Sequence, residues 1–207
     1  MLVIDTRITP PTTAAILAEK SNGNDLFHLP ALAYRTTGIS VNLSGCDAVF
    51  VGSPRAARLT KNVLENFDGP VFAAGEKTAQ SLLELGIPVA DAGSGNGIEE
   101  DFGNFLKKRR CKNFAWISAA ETAADLDSLA ARFGISIRHF PVYETFPAPV
   151  DEKFLKKLEH PVAWNFYSGK GVLALIRFVQ NNDKVNLFGT SAKREFENSG
   201  LFPESGS

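Results

Sequence analysis

Four short stretches place hydroxyls, glycines and a cation where an apolar run gives way to a helical one: Ser53-Pro54-Arg55, Gly75-Glu76-Lys77-Thr78, Ser168-Gly169-Lys170 and Gly189-Thr190-Ser191, the last followed by Lys193. At such a junction the first turn of a helix presents amide N–H groups without intrahelical acceptors, and the helix dipole adds partial positive charge, so anions are attracted. Any one of Ser53, Thr78, Ser168, Thr190 and Ser191 reads equally well as a helix N-cap. Any one of Arg55, Lys77, Lys170 and Lys193 reads as a solvated surface cation. Four cations at equivalent junctions together favour an anionic ligand. Metal chemistry has little support: Cys46 and Cys111 stand 65 residues apart, without CxxC spacing or a neighbouring His, and fit free thiols. His28, His139 and His160 lie near prolines at strand ends or turns and read as core or surface residues, while Trp116 and Trp164 fall within apolar strands and read as core.

The elements that must hold these junctions follow from hydrophobic periodicity. Ala48 to Val51 is a short buried-type strand. Pro54 suits a first helical turn, and Leu59, Val63, Leu64 and Phe67 form a helical stripe ended by Asp68-Gly69-Pro70. Val71 to Ala74 predicts the next strand. Ala79, Leu82 and Leu83 predict a helix closed by Gly86, and Ile87-Pro88-Val89 is strand-like. Crossovers this short imply parallel strands.

This unit returns from Val162 to Leu201, where Val162 to Phe166 replaces the first strand, Ser168-Gly169-Lys170 replaces Ser53-Pro54-Arg55, and Val172, Leu175, Ile176 and Val179 form the stripe. Gly189 and Gly200 keep the eleven-residue offset of Gly75 and Gly86. A second pair of segments also matches. Leu2 to Asp5, with a helix carrying Ala15 and Ile16 and then His28-Leu29-Pro30, parallels Phe114 to Ile117, with its helix and His139-Phe140-Pro141. One copy of the repeat lies in mid-chain and the other is divided between the ends. The predicted fold is α/β: two Rossmann- or flavodoxin-like lobes with parallel sheets, joined by two connecting strands. One lobe is discontinuous, residues 1–33 plus 148–207; the other is residues 37–143, with linkers at 31–37 and 144–150.

The remaining segments are read more plainly. Ala92-Gly93-Ser94-Gly95-Asn96-Gly97 predicts a surface loop rather than an anion nest, since no GxGxxG or Walker pattern frames it. Ile98 to Arg110 predicts a helix whose Lys107-Lys108-Arg109-Arg110 end complements the dipole. Leu126, Leu129, Ala130 and Phe133 predict another, stopped by Gly134, and the tail after Pro203 is expected to fray. At 207 residues and a net charge of -1, the chain has no charge-based reason to bind nucleic acid or a membrane. No stretch resembles a signal h-region or approaches the roughly 20 apolar residues of a span. A cytoplasmic chain of two small domains of about 100 residues is expected, working as a monomer.

Val142-Tyr143-Glu144-Thr145, with Phe50 to Ala56 and Gly75 to Ala79, resembles the uroporphyrinogen-III synthase family. The order and spacing of these motifs carry the resemblance over essentially the whole chain, and the permuted repeat is similar to the family's two lobes with a cleft between. It implies a lyase that closes hydroxymethylbilane to uroporphyrinogen III, losing water and inverting the last pyrrole ring, without metal or organic cofactor. The implied ligand is a linear tetrapyrrole with eight carboxylates. Tyr143 is then the catalytic candidate, a phenol able to donate a proton to the departing hydroxyl. Arg7, Ser53, Pro54, Arg55, Gly75, Lys77, Thr78, Ser168, Gly169, Lys170, Gly189, Thr190 and Ser191 are the substrate-binding candidates.

The sequence departs from the family pattern in four places. Gly52 stands where Thr is usual, Ser168-Gly169 replaces Ser-Pro, Ser191-Ala192-Lys193 replaces Thr-Thr-Ala, and Thr6-Arg7-Ile8 replaces Thr-Arg-Pro. A catalytically degenerate two-lobed ligand-binding or sensor module is therefore the alternative. A nucleotide-dependent enzyme is disfavoured, because no glycine fingerprint with an acidic partner follows Leu2 to Asp5. The permuted repeat makes a structural prediction: Val3 should lie with Phe166 or Leu187, and a chain in which it packs mainly on Val49 or Phe72 would reject the permutation.

Overall fold

Along three short apolar runs, Val49, Val51, Val71, Ala73, Ala115 and Ile117 alternate with Ala48, Phe50, Phe72, Phe114 and Trp116, and the period of two sends the two sets to opposite faces of one sheet. Both sets are buried, as parallel strands with helical crossovers require. The computed structural model describes residues 1–94, 98–122 and 124–200. Gly95 to Gly97 of the glycine-rich stretch, and Leu201 with the tail after Pro203, lie outside the described residues.

In chain order the elements are β1 (Leu2–Asp5), α1 (Thr13–Ser21), β2 (Asp25–His28), β3 (Leu32–Thr36), β4 (Ala48–Val51), α2 (Pro54–Leu59), α3 (Lys61–Leu64), β5 (Val71–Ala73), α4 (Glu76–Glu84) and β6 (Asp91–Ala92). There follow α5 (Ile98–Lys108), β7 (Asn113–Ala119), α6 (Leu126–Phe133), β8 (Ser136–Pro147), α7 (Glu152–Leu155), β9 (Ala163–Phe166), α8 (Gly169–Leu175), a 3-10 turn at Ile176–Phe178, β10 (Lys184–Leu187) and α9 (Thr190–Asn198). The chain divides into two compact units, one of Met1–Ala33 with the chain from Phe146 onward, the other of Tyr34–Thr145.

The first unit holds a sheet in the order β10-β9-β1-β2, and the other sheet runs β3-β8-β7-β4-β5-β6. Val3 pairs with Ala163 and Ile4 with Trp164 in parallel, while Phe50 pairs with Trp116 and Phe72 in the same sense. The run β5-β4-β7-β8 thus repeats the order β10-β9-β1-β2. The eleven-residue glycine offset has a local cause. Helices α4 and α9 are nine residues each, begin after Gly75 and Gly189, and are followed by Gly86 (φ 80°) and Gly200 (φ 67°) in the left-handed region that ends a helix.

Two layers cover the larger sheet. Ala56, Ala57 and Leu64 with Ala79 and Leu82 bury one face. Phe102, Phe105 and Leu129 bury the other, where Phe50 stacks on Trp116 at 3.9 Å and Phe72 on Phe105 at 4.7 Å. In the smaller sheet Ile4, Trp164 and Phe166 share a core with Val172, Leu175, Ala192 and Phe196.

Several expected details differ. The helix after Ser53 breaks at Thr60, whose hydroxyl donates to Ala56 O at 2.8 Å and so competes with the backbone ladder. Leu59 and Leu83 are exposed rather than inward, and α1 buries none of its residues, Ile16 included. The strand after Gly86 is Asp91–Ala92 rather than Ile87-Pro88-Val89, because Ile87 turns into the core and pairing with β5 resumes only where Ala90 N donates to Val71 O.

Asp183 anchors the smaller sheet. Its buried carboxylate accepts from Val162 N, Gln180 N and Trp164 Nε1 at 2.9, 2.9 and 3.0 Å and meets His160 Nδ1 at 2.7 Å. Burial alone pushes such a group up, but these hydrogen bonds outweigh it and hold the carboxyl below its ordinary value. A depressed folded value means stability that is fully present above the unfolded value, about 3.9, and lost as pH falls through the folded one. Asp183→Ala is expected to cost roughly 3 kcal/mol or more near neutrality, since it strands the buried donors Val162 N and Trp164 Nε1 and the part-buried Gln180 N. Urea denaturation from pH 7 to pH 3 should also show a flatter acid limb in the variant, and an equally steep limb would reject the assignment.

Candidate functional site

β4 and β5 are parallel neighbours, so both end at one sheet edge, and α2 and α4 both begin there. Ser53 caps α2: in extended conformation (φ -164°, ψ 159°) its Oγ accepts from Ala56 N at 3.1 Å, and Pro54 fills the first helical position without losing a bond. The same Oγ lies 3.0 Å from the Tyr143 hydroxyl. Since Ser53 Oγ already accepts from an amide, its own proton can be given to the phenol oxygen, leaving the phenol proton to be donated outward. Tyr143 is 7% exposed and reaches this edge from β8.

Arg55, two residues into the turn, places its Cζ 3.9 Å from the Tyr34 ring centroid and 5.2 Å from that of Tyr143. Tyr34 meets Tyr143 edge-on, at 6.3 Å and 82°. Of the arginines, only Arg7 and Arg55 are half-buried, the rest being exposed. Among the described residues no carboxylate or carbonyl accepts from the Arg55 guanidinium. A half-buried cation without an acceptor is poised for an anion.

The other candidates of this unit are placed differently. Gly75 begins α4 without a side-chain cap, and Lys77 with Pro54, Arg58, Glu76, Gln80, Ser81 and Glu84 lines a shallow groove of about 430 Å³ between α2 and α4. Thr78 is not a cap: it is turned onto the buried face of α4.

In the other unit Ser168 caps α8, accepting from Gly171 N at 3.1 Å. Gly189 (φ 97°) precedes α9 without a side-chain cap, and Thr190, Ser191, Lys170 and Lys193 are exposed, so neither Thr190 nor Ser191 acts as the N-cap. Arg7 is committed rather than free. Its Nε donates to Asp5 at 2.8 Å, a second guanidinium nitrogen reaches Asp5 Oδ2 at 2.6 Å, and the same nitrogen donates to the Tyr167 hydroxyl at 2.6 Å. The bond to Asp5 holds the guanidinium above its ordinary value; burial, with the charge of Asp5 behind it, holds the Tyr167 phenol up and protonated. Tyr167 also stacks on Phe188 at 4.7 Å and 9°.

Two of the departures have packing causes. A Cβ on Gly52 would stand 2.8 Å from Ser118 Cβ, and Ser118 in turn lies 2.9 Å from His139 Nε2, whose pKa burial lowers. A Cβ on Gly169 would stand 2.5 Å from Glu195 Cγ and 2.9 Å from Ser191 O, so the approach of α9 excludes proline there. Sequence reasoning missed Tyr34, Tyr167 and Asp5. Only Asp5 left a signal: in Asp5-Thr6-Arg7 the two charges share a face of an extended chain.

A phenol hydrogen-bonded to a capping serine, beside a guanidinium that has no acceptor among the described residues, at the edge of a doubly covered sheet, defines an α/β protein with a cation and a phenol at one helix start. The family model described as uroporphyrinogen-III synthase HemD matches residues 14–201, and the chain belongs to that family, the cyclising lyases of tetrapyrrole biosynthesis. The fold is similar to that of the uroporphyrinogen-III synthetase of Helicobacter pylori 26695, at TM-score 0.69 and 16% identity over 99% of this chain and 93% of that one. It is also similar to a mutant uroporphyrinogen III synthase of the extremely thermophilic bacterium Thermus thermophilus, at TM-score 0.63 and 16% identity over 98% and 90%. No curated protein matches closely enough to count as a relative.

The contact at Gly52 yields a test. Gly52→Thr, which installs the residue usual in the family, should destabilise the protein by about 1–3 kcal/mol through overpacking. Pairing it with Ser118→Gly should recover most of that loss in urea denaturation; no recovery would place the clash elsewhere.

Proposed function

We propose that this chain converts hydroxymethylbilane to uroporphyrinogen III, with Tyr143 as the proton donor and Arg55 as the principal carboxylate contact at its side. The single observation that carries the reading is the Ser53–Tyr143 hydrogen bond at 3.0 Å beside a half-buried guanidinium with no acceptor among the described residues. The substrate's hydroxymethyl C–O bond breaks as the pyrrole nitrogen lone pair pushes in, and the phenol proton goes to the departing oxygen, giving water, the Tyr143 phenolate and a protonated azafulvene. The azafulvene carbon is attacked by the substituted carbon of the last ring, giving a spiro intermediate. The bond from the spiro carbon to the methylene of the preceding ring then breaks, that methylene bonds to the free α-carbon of the last ring, and the proton lost there on rearomatisation restores the phenol. Ser53 holds the phenolate oxygen by its own O–H while the proton is away.

Most of the acceleration comes from geometry, because a linear chain held with its ends together reacts intramolecularly. The first-turn amides after Gly75 and the charge of Lys77 add attraction for further carboxylates; Ser168, Gly169, Lys170, Gly189, Thr190 and Ser191 form the equivalent helix starts of the other unit and are proposed as carboxylate contacts in their own right. Arg7 acts there through Asp5 and Tyr167 rather than as a free cation. The net change is a dehydration and rearrangement without change of redox state, so the reading includes no cofactor. It also includes a monomer in the cytoplasm, without nucleic acid or membrane as partner, supported by a net charge of -1. Among the described residues no helix is long and apolar enough to cross a membrane.

Incubation with hydroxymethylbilane, followed by isomer analysis of the oxidised porphyrin, tests the reading. Tyr143→Phe should slow formation of the III isomer about tenfold to a hundredfold, the lower range for lost acid assistance, with folding nearly intact. Arg55→Ala should instead raise KM, and its parent's KM should rise with salt. Full rate and isomer purity in Tyr143→Phe would reduce the phenol to packing.

A further inference from the structure

We propose that Tyr34 is a positioning residue of this site: its ring holds the Arg55 guanidinium flat, so that the in-plane N–H groups meet a substrate carboxylate beside the Tyr143 phenol. The inference rests on the reading of the site given above. At 3.9 Å the Arg55–Tyr34 contact is the tighter of the two that the guanidinium makes with aromatic rings. A guanidinium stacked on a ring face keeps its donors in its own plane, and none of them is used by the ring.

The strand pairing explains why this cation meets no carboxylate among the described residues. β3 lies beside β8, where Thr37 N donates to Val142 O at 3.2 Å, and successive side chains of a strand point to opposite sides. Tyr34 therefore faces Tyr143, while Arg35 points the other way and pairs with Glu144. Glu144 is the carboxylate adjacent to Tyr143 in sequence, and with Arg35 engaging it, Arg55 is left for an external anion. Tyr34 itself is 45% exposed, which core packing alone does not explain for an aromatic ring in contact with two site residues. Fixing one carboxylate relative to the phenol also fixes the position of the departing hydroxyl, and hence how often the intermediate closes without ring inversion.

The test compares Tyr34→Leu, Tyr34→Phe and Arg55→Lys. Binding of uroporphyrin III, an octacarboxylate, is measured by titration calorimetry at low and high salt, and kcat and KM are measured with hydroxymethylbilane. Tyr34→Leu should weaken binding about threefold to tenfold and raise KM alike, with kcat within about twofold and more of the uninverted isomer. Tyr34→Phe keeps the ring face and should match the parent. Arg55→Lys keeps the charge without the planar fork and should lose the same factor, which decides the matter should Tyr34→Leu fail to fold. Parent-like binding by Tyr34→Leu or by Arg55→Lys overturns the proposal, as does a loss in Tyr34→Phe equal to that in Tyr34→Leu. A parent that binds the octacarboxylate without cyclising the bilane sinks the functional reading and leaves Tyr34 to the binding arm. A parent that does neither overturns both.

Discussion

Parallel pairing of β4 with β5 and of β9 with β10 is the constraint on which the rest depends. Parallel neighbours cannot be joined by a tight hairpin, so each is reached through a helix that returns over the sheet face. Every such helix must then start at the edge where its preceding strand ends. The first turns of α2 and α4 consequently gather at one edge, and those of α8 and α9 at the corresponding edge of the other sheet, with Ser53 and Ser168 capping one amide each. Burial of the apolar strands and exposure of anion-attracting amides are two results of the same topology. Polar side chains for a site need only be added at the turns, as Ser53 and Arg55 are, or brought in by a neighbouring strand, as Tyr143 is.

How far the sequence carries this picture depends on the range of the interaction. Strand and helix placement rests on periodicity and on Gly, Pro and Ser punctuation, all local, and so Ser53 and Ser168 are recognisable as junction residues before any fold is known. Thr78 and Thr190 carry the same chemistry in the same apparent place, yet one lies on the buried face of its helix and the other is exposed in the first turn. A shift of one or two positions around a helix is enough to make that difference, and composition does not encode it. The freedom of Arg55 is less visible still, since it depends on Arg35 engaging Glu144 from 109 residues away. Arg7 shows the converse: its anion is already supplied by Asp5, fully buried two residues before it.

The departures from the family pattern become less suggestive of lost function once their neighbours are seen. Gly52 makes room for Ser118, Gly169 makes room for the first turns of α9, and Ala192 is fully buried in the core that α9 shares with Trp164 and Phe166. Each small residue sits where another element approaches closely, β7 at Gly52 and α9 at Gly169, so these positions record how tightly neighbouring elements pack. The hydroxyl of Ser53 and the phenol of Tyr143 are untouched by any of them.

The two tryptophans are both fully buried, but in unlike surroundings. Trp116 stacks on Phe50, and its Nε1 has no hydrogen-bond partner among the described residues, whereas Trp164 donates to the Asp183 carboxylate at 3.0 Å. One indole lies in each unit. Excited-state emission from the apolar, unbonded ring of Trp116 falls at shorter wavelength than that of a ring bonded to a carboxylate. The protein therefore carries a spectrally distinct lamp in each half, and loss of structure in one can be watched in its intrinsic fluorescence without any label on the other.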